Sequence, residues 1–213
     1  MHSRSTRPPG RPKQSEQRST PDMILRTAAH LFMESGYDAV SVDALAEAVG
    51  ITKASIYYYF PTKSDVFAAS MEALMTTIHR ESQRILDGPG PFGDRLRALA
   101  IARLSVAETR FDFDRVLAEA DPQLTPAHRE RLQDAMHRLS GLIIDAFRLE
   151  TEKGHIKSTN PKFAAHAYLA LLNVGFARNP DGSRIFSSPE EAADTVVDLM
   201  MRGLSSHQSI KSP

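Results

Sequence analysis

Between residues 52 and 63 the chain gathers side chains suited to duplex DNA: the hydroxyls of Thr52, Ser55, Tyr57 and Tyr58, and the ammonium groups of Lys53 and Lys63. Hydroxyls reach phosphate oxygens, and a lysine donates to guanine or to phosphate. Ala54 and Ser55 are small enough for a backbone to come close to base edges. Taken singly, each residue has a plainer reading, because a tyrosine run usually packs and a lone lysine is usually solvated; their conjunction in one short segment is uncommon. Rival chemistries are absent from the sequence. His128, His137, His155 and His166 form no metal-ligand spacing, and there is no cysteine. The glycine-rich loop at 87–93 follows no strand and is not closed by a Lys-Ser or Lys-Thr pair, so it reads as a linker. No nucleophile is paired with a base. The sequence therefore predicts no catalytic residue, no metal and no cofactor.

These side chains need two short helices to present them. Ser41 is placed to cap a helix whose buried face is Val42, Leu45, Ala46 and Val49, and Gly50 supplies the left-handed conformation that ends it. Ile51 fills the turn and Thr52 caps the next helix, which gives the short connection of a helix-turn-helix. At about 100° per residue, Ile56, Tyr59 and Phe60 face the preceding helix, while Ala54 and Tyr58 point away. Pro61 stops this helix, and Thr62 and Lys63 open another, where backbone N–H groups beside an ammonium suit a phosphate.

The same punctuation recurs along the chain. A capping residue followed by proline occurs at Thr20-Pro21, Thr125-Pro126, Asn160-Pro161 and Ser188-Pro189. With apolar residues at helical spacing and no sustained alternation, the chain is expected to be all-α, with about nine helices: 20–35, 42–49, 53–60, 63–86, 94–109, 113–120, 126–152, 161–177 and 189–205.

Net charge is zero, with 26 basic and 26 acidic residues, so overall charge does not argue for a nucleic-acid partner. Its distribution is more telling. Arg4, Arg7, Arg11, Lys13 and Arg18 crowd the first twenty residues against Glu16. That arm reads either as a solubilising tail or as a phosphate-tracking extension. No apolar stretch is long enough for a membrane span and none resembles a signal-peptide core, so a cytoplasmic protein is expected.

The stretch from about Thr20 to Phe67 resembles the DNA-binding domain of the TetR family of bacterial transcriptional regulators. TKASIYYYFPTKSDVF is its most specific part, DALAEAVGIT matches the preceding helix and turn, and ILRTAAHLFMESGYDAVSVD matches the leading helix. The resemblance implies a homodimer that sets two recognition helices on a palindromic operator. It assigns DNA contacts to Thr52, Lys53, Ser55, Tyr57, Tyr58 and Lys63, with Ile56, Tyr59 and Phe60 holding the helix. Tyr58 stands where the family often has histidine, which puts the base preference there in doubt. RPPGRPK, residues 7–13, is loosely similar to minor-groove hooks, with proline in place of the central arginine; Arg7, Arg11 and Lys13 would follow that groove.

For the rest of the chain the resemblance implies an effector pocket between the helices near 94–120 and 126–152, with Phe111, Phe113, Met136, His137 and Phe147 as candidate lining for a small apolar or aromatic effector. It also implies a dimer interface from the last two helices, with Phe163, Ala167, Leu171, Val174, Val196, Leu199, Met200 and Leu204 available. Some of these must serve the protomer core instead. The expected division is a basic arm at 1–19, a helix-turn-helix domain at 20–66 and an effector-binding and dimerisation domain at 67–213. The expected role is a repressor released by its effector. A ligand-independent or protein-controlled DNA-binding factor is the alternative, and a helical enzyme the remote one.

Overall fold

The computed structural model describes residues 20–106, 113–158 and 160–204. Among them lie nine α-helices: α1 (Thr20–Ser35), α2 (Val42–Val49), α3 (Lys53–Tyr59), α4 (Lys63–Leu86), α5 (Phe92–Val106), α6 (Phe113–Ala120), α7 (Pro126–Glu152), α8 (Pro161–Val174) and α9 (Pro189–Leu204). A 3-10 turn, Asp121–Gln123, joins α6 to α7. The only extended pairing among the described residues is one antiparallel bridge between Arg178 and Arg184. The fold is all-α.

The caps form as local chemistry requires. Thr62 and Asp65 complete a reciprocal box at the start of α4, Thr125 and His128 another at α7, and Asn160 Oδ1 accepts the Phe163 N–H at 2.9 Å. Helix α3 ends at Tyr59 instead of 60, and two boundaries differ from the expectation by more than that. Helix α5 starts two residues early, because the Pro91 carbonyl accepts the N–H groups of Asp94 and Arg95. Helix α8 stops at Val174 instead of 177, where the Gly175, Phe176 and Ala177 N–H groups tighten onto carbonyls three residues back. Gly175 is needed there for space: a Cβ on it would lie 2.6 Å from Leu104 Cδ2.

Two apolar cores result. One joins α1, α2, α3 and the first half of α4 around Ile24, Phe32, Tyr37, Leu45, Ile56 and Phe67, and it also takes in Val116 and Ala120 from α6, Leu124 from the connection after it and Leu132 from α7. The second joins α5, α7, α8 and α9 around Leu96, Phe147, Tyr168, Leu172 and Val197. Helix α4 packs against both α1 and α7 and links the two. The head is thus closed underneath by pieces of the body, and its apolar packing runs past residue 66 through Phe67, Ala68 and Met71.

Candidate nucleic-acid interface and effector cavity

The helix-turn-helix is built from side chains that satisfy its open backbone groups. Ser41 Oγ accepts the Ala44 N–H at 3.0 Å. Gly50, at φ 77°, turns its N–H onto the Ala46 and Glu47 carbonyls. A Cβ at Gly50 would meet nothing within 4 Å, so glycine is required there for its conformation and not for space. Thr52 Oγ1 accepts the Ser55 N–H at 3.1 Å and starts α3. Ile56 is fully buried and pins α3 to α2 and the core.

The opposite side of α3 is open. Thr52, Lys53, Tyr57 and Tyr58 are exposed and Ser55 is partly so. Tyr58 projects furthest, at 82% exposure. Tyr59 departs from expectation: it is exposed and lies edge-on to Tyr58, with ring centroids 5.0 Å apart, so it does not hold the helix. It falls about 60° away from Ile56 around the helix axis, on the last residue of α3, and is only partly covered there, at 41% exposure. Ile56 and the half-buried Phe60 anchor the helix instead.

Lys53 is not a free donor. Its Nζ bonds Asp43 Oδ2 at 2.7 Å across the turn, and that hydrogen bond raises its pKa and keeps it protonated. Asp43 was invisible to sequence reasoning because the pair spans two helices and has no helical spacing. Lys63 has the contrary problem. Its Nζ sits 4.3 Å from the centroid of the Tyr37 ring, and partial burial lowers its pKa, with Asp38 pulling the other way. Tyr37 is itself locked between Phe32 and Phe67, at centroid distances of 5.7 and 5.1 Å.

At the start of α4 the Thr62 N–H donates to Asp65 Oδ2 at 2.9 Å, so one of the N–H groups expected to meet phosphate is already used. The Thr62 hydroxyl is the main cause of the lowered Asp65 pKa, with the His128 ring adding to it. The Asp65 N–H is likewise held, by Thr62 Oγ1 at 3.1 Å, which narrows what this helix start can offer a phosphate to the first N–H groups of α4 and the Lys63 ammonium. Arg7, Arg11 and Lys13 lie outside the described residues.

Below the head lies a half-open cavity of about 2330 Å3. Phe113, Met136 and His137 are among its lining residues, and Phe111 lies outside the described residues. Phe147 does not line it. Its ring is fully buried in the second core, edge-on to Phe92 at 5.0 Å and against Tyr168 at 6.0 Å. The cavity also reaches further than expected: α1 supplies Leu25 and Met33, α4 supplies Leu74 and Ile78, and α8 supplies Leu169 and Leu172. These residues read as ordinary core in sequence, since a residue facing a void has the same spacing as one facing a neighbour. Seven arginines, among them Arg26, Arg80, Arg103 and Arg115, stand on its walls and rim, with Asp22, Glu34, Glu72 and Glu81 as acids, and Arg131 is paired with Glu72.

The expected dimer residues divide sharply. Phe163 is 70% and Leu199 60% exposed, and Val174 is exposed as well. Ala167, Leu171 and Leu204 are half-buried. Val196 and Met200 instead belong to the protomer's own core, because they share the face of α9 that carries Ala192, Ala193 and Val197 and packs against α5.

Residues 24–70 match the family of bacterial regulatory proteins of the tetR type, and residues 89–204 match the tetracyclin repressor-like C-terminal domain. The chain belongs to the TetR family. It is a DNA-binding transcriptional regulator. One similar protein is the HTH-type negative transcriptional regulator of the icaADBC biofilm operon, IcaR, from Staphylococcus aureus, which is 41% identical over 51 residues. That match covers 24% of this chain and spans about a quarter, 27%, of IcaR. Two solved structures share the fold. AibR, in complex with isovaleryl coenzyme A and operator DNA, has a TM-score of 0.62 at 24% identity, covering 86% of this chain and 98% of AibR. FadR from Bacillus subtilis, in complex with stearoyl-CoA, has a TM-score of 0.66 at 15% identity, covering 86% of this chain and 99% of FadR. Among the described residues no helix is long and apolar enough to cross a membrane, and no group of three or more acidic or histidine side chains is placed to hold a metal ion.

Proposed function

We propose that this TetR-family chain is a cytoplasmic, homodimeric repressor whose two α3 helices bind successive major grooves of a palindromic operator, and which an effector in the body cavity releases. Thr52, Ser55, Tyr57, Tyr58 and Lys63 would make the DNA contacts, Lys53 would contribute once Asp43 lets it go, and the 1–19 arm would add salt-sensitive affinity. One observation carries the reading: the cavity is walled by α1, α4 and α7, which also carry the helix-turn-helix head. A ligand that prefers one arrangement of those helices must bias the head, and differential affinity for two states is all a switch requires.

The cavity's size favours a large effector, since drug-sized ligands occupy roughly 300–1,000 Å3. Apolar walls with arginines at the rim suit an amphiphile that carries an apolar chain and an anionic end. Acyl coenzyme A thioesters, the ligand class of AibR and FadR, meet that description. Dimerisation would use Phe163, Leu171, Val174 and Leu199, with the half-buried Ala167 and Leu204 at its edge.

Selection of bound sequences from a random DNA pool tests the reading directly. The expected product is an inverted repeat with half-sites about one helical turn apart, or slightly more. Titrating that complex with acyl-CoA thioesters of increasing chain length should release the DNA, and recovery of no DNA motif would overturn the reading. Leu199→Asp should yield a folded monomer with weak DNA binding, seen by light scattering and circular dichroism.

A further inference from the structure

The cavity wall and the Lys63 ammonium are joined by a continuous set of contacts. Arg115 lines the cavity and pairs with Glu119 one turn later on α6. Glu119 Oε2 accepts the Tyr37 backbone N–H at 2.9 Å, although the two residues are 82 positions apart. Gly36, just before it, is at φ 89°, and a Cβ there would lie 2.5 Å from that same carboxylate oxygen, so the turn between α1 and α2 is shaped to admit Glu119. The Tyr37 ring, at the other end of the residue, supports the Lys63 ammonium.

The geometry points to Glu119 as a positioning residue for DNA binding: Arg115 on the cavity wall orients Glu119, Glu119 fixes Tyr37, and the Tyr37 ring sets where Lys63 holds its charge. The relay deepens the proposed function and rests on it, since it takes Lys63 as a phosphate contact and the cavity as the effector site. Physical reasons favour such a route. A carboxylate bond to a backbone N–H is charge-assisted and directional, so losing it moves the turn as a unit. Tyr37 has no room to adjust alone, because Phe32 and Phe67 clamp it edge-on and by stacking. An anionic effector group that draws Arg115 toward the cavity would therefore be felt at Lys63.

The test uses the full-length protein and the duplex that wild-type protein selects from a random pool, with affinity measured across a salt series. Lys63→Ala should weaken binding about tenfold and lower the slope of log K against log salt by about one per protomer. Glu119→Ala should reproduce both changes in part, with roughly fivefold weaker binding, while Glu119→Gln, which keeps an acceptor for the Tyr37 N–H, should restore the wild-type slope. Adding Glu119→Ala to Lys63→Ala should cost no further affinity, and adding Arg115→Ala to Glu119→Ala should likewise cost none. Thermal midpoints of all variants separate a loss of fold from a loss of positioning. Wild-type slope in Glu119→Ala, or full additivity with Lys63→Ala, would overturn the relay while leaving DNA recognition intact. Failure of the wild type to select any DNA would instead sink the underlying reading.

Discussion

The head and the body of this regulator use polar groups in opposite ways. In the head they stand on the surface: Thr52, Tyr57 and Tyr58 are exposed, and the interior is an aromatic and aliphatic cluster about Phe32, Tyr37 and Phe67. In the body a carboxylate is taken inside. Glu150, only 1% exposed, is held by Arg95 at 3.0 Å, Lys153 at 3.2 Å and His155 at 2.7 Å, joining the end of α7 to the start of α5. The head thus keeps its polar groups available to a partner, whereas the body spends this set on its own architecture. A DNA-reading surface must stay open, whereas the Glu150 set fastens the end of α7 to the start of α5 inside the protomer.

The contrast can be broken most severely at the head's core. Phe67→Ala removes a fully buried ring that meets both Phe32 and Tyr37 edge-on and should cost about 3–5 kcal/mol, read from the denaturant midpoint. Because Val116, Ala120 and Leu132 share that core, head and body signals should shift together. Separate transitions would show the two to be independent.

An intermediate effect belongs to the body. Burial pushes the Glu150 pKa up, but the hydrogen bonds from His155, Arg95 and Lys153 outweigh it and hold the group down at about 2. A carboxyl whose folded value is depressed contributes stability that is complete above its unfolded value, near the ordinary 4.5, and that is lost as pH falls toward 2. Glu150→Gln should therefore destabilise at neutral pH by on the order of 2 kcal/mol and flatten the acid limb of the stability curve. An unchanged acid limb would mean that the cluster does not tie the body together.

The smallest expected effect on stability comes at the reading surface. Tyr58→Ala should alter the unfolding midpoint by less than about 0.5 kcal/mol, because the side chain is almost wholly exposed. The same change should lower DNA affinity in a gel-shift titration. A large loss of stability would mean that Tyr58 packs against the head and is not held out for a partner.

Much of this was legible in the sequence because it is local. Ser41, Gly50, Thr52 and Thr62 act on backbone groups within four residues, so their types and spacing specify where α2, α3 and α4 begin and end. The burial of Ile56 and the exposure of Tyr58 follow from helical periodicity. Tyr59 escaped that rule because α3 ends with it, and a side chain at a helix terminus has no neighbouring turn to cover it.

What only the tertiary structure decided involves residues far apart in the chain. Whether Val196 or Leu199 faces inward depends on which side of α9 meets α5, and both are apolar at helical spacing. Phe147 and Met136 look alike in sequence, yet one fills the core and the other borders the cavity. The Asp43–Lys53 pair and the Glu119 grip on Tyr37 join separate helices. Local chemistry determines helices, their ends and their two faces; the distance between faces of different helices is set by how all of them pack at once, and no short pattern of residue types encodes it.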